Sequence, residues 1–137
     1  MPVKRFFDTN ILVYAFASDD PRSARAESLI AEGGMIGVQV LNEFTNVTRR
    51  KLGWQWDQIE ASLAVVEELF DPVAPLTSAI HARAVVLARG RGLSVYDALI
   101  VAAAQDAGCK VLFSEDFQHG QKFGTLTVEN PFRPDAD

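Results

Sequence analysis

Val3-Lys4-Arg5-Phe6-Phe7-Asp8-Thr9-Asn10-Ile11-Leu12-Val13-Tyr14-Ala15-Phe16-Ala17 is the stretch that decides the fold class. Val3 to Phe7 reads as a short strand. Asp8-Thr9-Asn10 interrupts it, and Ile11 to Ala17 reads as a short helix. A strand passing through a polar triplet into a helix is the opening half of a β-α unit. Lys4-Arg5 ahead of apolar residues resembles a secretory leader. Asp8 and Asn10 break that apolar run, so the expectation is a strand and helix in a cytoplasmic protein.

The alternation continues outward from that stretch. Asp20-Pro21 starts a helix, with Asp as N-cap and Pro in the first turn, that ends at Gly33-Gly34. A strand is expected over Met35–Val38 and a helix over Val40–Leu52. Asp57–Phe70 is amphipathic, with Ile59, Leu63, Val66 and Phe70 on one stripe. Val73–Leu76 is a strand. Thr77 caps a helix to Arg89, which Gly90 and Gly92 stop. Ser94 caps the most apolar helix, Tyr96–Ala107. Lys110–Phe113 and Leu126–Val128 complete about five strands. Short strands alternating with helices predict an α/β domain with a mainly parallel sheet. Residues 1–132 form a single domain in this reading, with 133–137 as a loose tail.

The 137 residues are 48% hydrophobic and 23% charged, an ordinary globular balance that needs no disulfide or structural metal to fold. A net charge of −5 excludes a basic slab that grips nucleic acid through phosphate contacts alone. It leaves room for a nuclease that recruits its substrate through bound cations. Cys109 is the single cysteine, so there is no intrachain disulfide and no cysteine-based zinc site. It reads as a small buried hydrophobe. No uncharged stretch approaches the ~20 residues a membrane span requires.

In an open parallel sheet, ligands bind outside the carboxyl ends of the strands. Asp8 follows the first strand there, Asp116 follows the strand ending near Phe113, and Asp97 opens a helix at the same edge. Each has a structural reading. Asp8 and Asp116 suit turns and caps, and Ser94-Val95-Tyr96-Asp97 matches a capping box. Glu43 resists such a reading. It lies three residues after Val40 and four before Val47, within or beside an apolar face, with no cation one turn away; a snorkelling glutamate is the alternative. Four acids converging on one edge point instead to a hard divalent cation, Mg²⁺ or Mn²⁺, held by oxygen. Such a cation holds phosphate and acidifies an attacking water, which suits phosphodiester hydrolysis.

Four motifs, in order, are Phe6-Phe7-Asp8-Thr9-Asn10-Ile11-Leu12-Val13-Tyr14, Val40-Leu41-Asn42-Glu43-Phe44, Ser94-Val95-Tyr96-Asp97-Ala98-Leu99-Ile100 and Leu112-Phe113-Ser114-Glu115-Asp116-Phe117. Together they resemble the PIN domain and, more narrowly, VapC-type toxins of type II toxin–antitoxin systems. The resemblance covers nearly the whole chain. It implies a three-layer α/β/α sandwich, Mg²⁺- or Mn²⁺-dependent ribonuclease activity, a homodimer and a small cognate antitoxin. It places the catalytic and metal-binding acids at Asp8, Glu43, Asp97 and Asp116, and the accompanying hydroxyl at Ser114. Asn10 matches a polar position beside the first aspartate and is a candidate for substrate contact, as is His119. Glu115 reads as a solvated loop acid.

The remaining candidates are structural in this reading. Arg49-Arg50-Lys51 balances a helix C-terminus. Trp54 and Trp56 form a partly buried lid. A phosphatase with a nucleophilic aspartate expects a second aspartate where Asn10 stands, and a receiver domain expects an acidic pair and a late lysine that are absent. An inactive RNA- or partner-binding module of the same fold is the remaining alternative.

Overall fold

The computed structural model describes residues 3–17 and 19–134, so of the expected tail residues 135–137 lie outside the described residues. In chain order the elements are β1 (Arg5–Phe7), α1 (Thr9–Phe16), α2 (Ser23–Ala31), α3 (Val38–Arg50), α4 (Trp56–Leu69), α5 (Ser78–Arg91), α6 (Val95–Asp106), β2 (Val111–Phe113), β3 (Lys122–Phe123) and β4 (Leu126–Glu129).

The sheet order is β1-β2-β4-β3. β1 pairs with β2 in parallel, and β2 with β4; β3 adds an antiparallel edge. Phe6 and Phe7 point to opposite faces and are both fully buried, so both faces of the sheet are covered. Phe6 shares the space over Gly37 with Ala103 of α6. Phe7 stacks on its register partner Phe113 (5.7 Å between centroids) and meets Phe70, just past α4, edge-on (5.9 Å). The expected mixed α/β sandwich with a parallel-dominated sheet is present.

Among the described residues the sheet has four strands rather than about five. Met35–Val38 and Val73–Leu76 reach it only through single bridges, Phe6 to Met35 and Gly37 to Ala74. Gly37 already serves as the N-cap of α3, and Pro72 precedes the second run while Pro75 lies within it, neither with an N–H to donate. In their place Gly124, at φ +63°, turns a short hairpin that adds β3.

Helix starts follow local chemistry. Thr77 accepts from the Ile80 N–H (3.1 Å), and Ser94 from the Asp97 N–H (3.1 Å). Asp20 does not cap α2. It accepts from the Arg22 N–H (2.8 Å) one step earlier, and the helix begins at Ser23, whose hydroxyl ties the chain to the Tyr14 and Ala17 carbonyls. Gly90 does not stop α5 but lies inside it; Gly92, at φ +68°, ends it. In α6 every residue from Ala98 to Ala104 is buried, as expected for the most apolar helix. Ile59, Val66 and Phe70 bury the stripe of α4. Phe132 packs edge-on against Tyr14 (5.2 Å), which brings the segment after β4 beside α1. Among the described residues no helix is long and apolar enough to cross a membrane.

Candidate functional site

Register builds the centre of the site. Phe7 lies opposite Phe113 in the parallel pair, so the next residues, Asp8 and Ser114, leave the sheet side by side. The Asp8 N–H continues the ladder to the Phe113 carbonyl (3.0 Å). Ser114 then donates its hydroxyl to Asp8 Oδ2 (2.7 Å), and Asp8 Oδ1 accepts from the Thr9 N–H (2.7 Å). Both Asp8 and Ser114 are buried, 1% and 0% exposed. Asp8 is thus the N-cap of α1, as its structural reading required, and also the innermost acid of a cluster.

The other acids arrive on three further elements. Glu43, on α3, accepts from the Thr9 hydroxyl through Oε1 (2.9 Å) and from the Gln39 side chain through Oε2 (3.0 Å). Asp116 follows β2. Its N–H donates to Ser114 Oγ (3.0 Å), and its Oδ2 accepts from Asn10 Nδ2 (3.1 Å). Asp97 stands in the first turn of α6, where its N–H completes the Ser94 cap. Two open clefts meet over Glu43. One, of about 480 Å³, is lined by Glu43 and Asp97 together with Asn42, Asn46 and Lys51. The other, of about 300 Å³, is lined by Thr9, Asn10, Glu43, Lys51 and Asp116.

The electrostatics couple the four acids. Burial first, then the charges of Asp116 and Glu43, push the Asp8 carboxyl up to about 7, against the opposing hydrogen bonds from Ser114 and Thr9. Asp97 is likewise held above the ordinary carboxylate value. Burial is the main cause, Asp116 and Glu43 add to it, and Ser94 opposes it. Asp116 and Glu43 therefore act on the inner acid and the outer acid at once. Burial and mutual repulsion thus oppose ionisation of the inner and outer acids, an arrangement found at functional sites.

The donor set suits a hard divalent cation. Asp8, Glu43, Asp97 and Asp116 offer oxygen only, and each carboxylate keeps lone pairs beyond those already engaged. Asn10 adds an orphan: its Oδ1 is buried without a hydrogen-bond partner while its Nδ2 is committed to Asp116. Among the described residues, no three acid, histidine or cysteine side chains stand close enough to close a cage by themselves. A cation held here would have to keep part of its water shell.

Three further residues belong to the site's surroundings. Thr9 bridges the N-cap of α1 to Glu43. Lys51, the C-cap of α3, lines both clefts; it lies eight residues after Glu43, beyond the single turn over which the sequence offers the acid no cation. Glu115 is not a solvated loop acid. It accepts from the Tyr14 hydroxyl and pairs with Arg22 (3.3 Å), whose guanidinium lies 3.9 Å from the Tyr14 ring centroid. That network fastens the Asp116 loop to α1. The 14-to-22 spacing carries no periodic signal that ties it to position 115, so only the folded chain shows it. His119 stands apart: its Nδ1 accepts from the Asn130 N–H (3.1 Å), tying its loop to the residue after β4, and it lines neither cleft over Glu43.

A family model described as the PIN domain matches residues 5–122. No curated protein matches the chain. Among solved structures, the chain is similar to a toxin–antitoxin complex from Klebsiella pneumoniae (TM-score 0.70, 20% identity, covering 94% of this chain and 98% of that one). It is also similar to VapBC2 from Rickettsia felis, bound to a DNA fragment from its promoter (TM-score 0.65, 20% identity, 92% and 97%). A third is VapC20 of Mycobacterium tuberculosis, described as a sarcin–ricin loop cleaving toxin (TM-score 0.62, 22% identity, 82% and 92%). At these identities the likeness is one of fold.

Proposed function

The chain belongs to the PIN domain family, and from that premise we propose that it is a divalent-cation-dependent endoribonuclease, the toxin of a VapBC-type toxin–antitoxin pair. The observation that carries this reading is the placement of Asp8: a fully buried carboxylate that shares the fields of Asp116 and Glu43 beside an orphaned Asn10 oxygen. Four acids held this way raise the free energy of the cation-free fold, and a cation relieves it.

Asp8, Glu43, Asp97 and Asp116 would hold Mg²⁺ or Mn²⁺, directly or through water. Bound there, the cation would supply positive charge for a scissile phosphate and for activating water. The chain's own groups do the positioning. Ser114 orients Asp8 by donating to Oδ2, and accepts from the Asp116 N–H, so one hydroxyl links two of the acids. Thr9 and Gln39 fix the two oxygens of Glu43. Asn10 steers Asp116 through Nδ2 and leaves Oδ1 for a ligand. Lys51 offers a phosphate-binding ammonium at the mouth of both clefts.

The same reading takes residues 1–132 as a single cytoplasmic domain and implies a homodimer, for which Val65 and Leu69 on α4 supply exposed apolar surface. The partner is a small antitoxin, as in the solved toxin–antitoxin complex the chain resembles in fold. Translation or growth is the process it would inhibit.

Purified protein incubated with total RNA tests the central claim. Cleavage in Mg²⁺ or Mn²⁺ that stops with excess chelator supports it. Cleavage undiminished by chelator, or no cleavage under any cation, overturns it and leaves the inactive binding module.

A further inference from the structure

Two consecutive residues of the loop after β2 are fastened to α1 by different bonds. Asn10 and Tyr14 are four residues apart on α1, so they share one face, a turn of about 5.4 Å apart. Asn10 Nδ2 donates to Asp116 Oδ2 (3.1 Å), and the Tyr14 hydroxyl donates to Glu115 Oε1. Neighbouring side chains of the loop thus grip the helix one turn apart, and the peptide between them is held at both ends. A single attachment would let that peptide pivot.

The Tyr14 half of the grip has its own supports. The Arg22 guanidinium lies 3.9 Å from the ring centroid and donates to Glu115 Oε2 (3.3 Å). Asp20 holds the same guanidinium in a fork, through Nε (3.0 Å) and Nη2 (3.1 Å). Phe132 meets the ring edge-on. Burial, then the hydrogen bond and charge of Glu115, hold the Tyr14 phenol above its ordinary value, so it stays a donor.

This network has work to do at the acid cluster. Asp116 acts by its charge on both Asp8 and Asp97, and like charges drive one another apart when no cation is present. Keeping Asp116 in place then requires bonds that do not depend on the cation. Glu115 is not a further ligand, because Oε1 accepts from Tyr14 and Oε2 from Arg22, and a cation would have to strip it from a guanidinium. Tyr14 is also no distant prop. It lines the cleft of about 300 Å³ together with Glu43 and Asp116.

We propose that Tyr14 and Glu115, backed by Arg22, are positioning residues: their bond holds Asp116 at the acid cluster before a cation arrives and so raises the site's affinity for Mg²⁺ or Mn²⁺. The inference rests on the cation-dependent reading above and adds residues that act through Asp116 and not on the cation.

Two readouts test it. In chelator, NMR hydrogen exchange follows the Asp116 backbone N–H, which is bonded to Ser114 Oγ. Tyr14→Phe keeps the ring and removes the donor; Glu115→Ala removes the acceptor. Each should speed exchange at Asp116 by roughly fivefold or more, while the buried run of α6 exchanges as in wild type. Calorimetric titration with Mn²⁺ alone, without RNA, should give a Kd raised about fivefold in both variants, less than the roughly 10–100-fold typical when a ligand's direct partner is lost. Glu115→Gln removes the same charge as Glu115→Ala but leaves an acceptor for Tyr14, so it should recover most of the affinity. Equal losses in Glu115→Gln and Glu115→Ala overturn the inference, because they trace the effect to charge alone. Weaker binding without faster exchange at Asp116 also overturns it. Tight Mn²⁺ binding by wild type and both folded variants alike overturns the inference and leaves the cation reading standing, whether or not exchange quickens. Wild type that binds no Mn²⁺ overturns both.

Discussion

On the sheet side of the site, Asp8 and Ser114 are closed off from water, and both Asp8 oxygens have fixed donors. On the helix side, Glu43 and Asp97 face open clefts, with Lys51 at their rim. The sheet side is set by backbone register: two parallel strands place Asp8 and Ser114 next to each other, and neither can move without breaking the ladder. The helix side is set by side chains that α3 and α6 carry to the clefts. A buried acid held by the backbone ladder thus stands beside acids that border open clefts. They divide the cost. The inner acid carries most of the unfavourable burial, and the outer acids share their charge with solvent.

The largest effect should come from breaking the rigid side. Asp8→Asn keeps the shape and removes the charge. It should lower RNA cleavage by at least 100-fold while raising the melting temperature of the cation-free protein, read by single-turnover cleavage and thermal melts. Loss of activity together with lower stability would mean that Asp8 is only a cap.

The second effect is a pH dependence with a definite sign. Unfolded, the Asp8 carboxyl titrates near 3.8; folded, it is pushed up to about 7. Below pH 4 both states hold the proton and burial costs nothing through this group. As pH rises from 4 towards 7, the unfolded chain releases the proton first, so the stability Asp8 allows is progressively lost, at up to about 1.4 kcal/mol per pH unit. Denaturant melts across this range in chelator should show wild type losing stability relative to Asp8→Asn, and added Mg²⁺ should shrink the difference. Parallel curves for the two proteins would show that the carboxyl is not strained.

Ser114→Ala probes the link between the two sides at smaller cost. It removes one donor to Asp8 and one acceptor for the Asp116 N–H, and should destabilise by about 1–2 kcal/mol in chelator and weaken stabilisation by Mg²⁺. An unchanged response to Mg²⁺ would place the hydroxyl outside the site.

The smallest effect is expected on the helix side. The Ser94 cap bonds the backbone N–H of Asp97, so it survives Asp97→Asn. That substitution should stabilise the cation-free protein by less than about 1 kcal/mol and reduce its stabilisation by Mg²⁺. Thermal melts with and without Mg²⁺ read both signs. A destabilised variant with an intact Mg²⁺ response would return Asp97 to a capping role and break the contrast between the two sides.

Local chemistry made much of this legible in advance. The Thr77 and Ser94 caps, the buried stripe of α4 and the apolar run of α6 follow from side-chain size, hydrogen-bonding groups and the 3.6-residue repeat, which act within one turn of chain. Asp8, Asp97 and Asp116 could be placed at strand ends and a helix start because a parallel α/β pattern puts those ends on one edge, and Glu43 stood out as an acid within or beside an apolar helix face. Two errors had the same origin. Residue type alone makes Asp20 the cap of α2 and Gly90, together with Gly92, the stop of α5, whereas the bonds of Ser23 to the preceding turn set the first boundary and the left-handed Gly92 alone sets the second.

By itself, then, the sequence determined the α/β class, the helices, and which acids lie near the sheet's carboxyl edge. Tertiary structure alone decided that Met35 and Ala74 give bridges and not strands, that Ser114 bonds Asp8, that Glu115 clamps the Asp116 loop through Tyr14 and Arg22, and that Trp56 stays in water. The physical reason is range. Capping and periodicity act over a few residues, but the register of β1 on β2 joins positions 106 residues apart, and a side chain's burial depends on which distant element covers it.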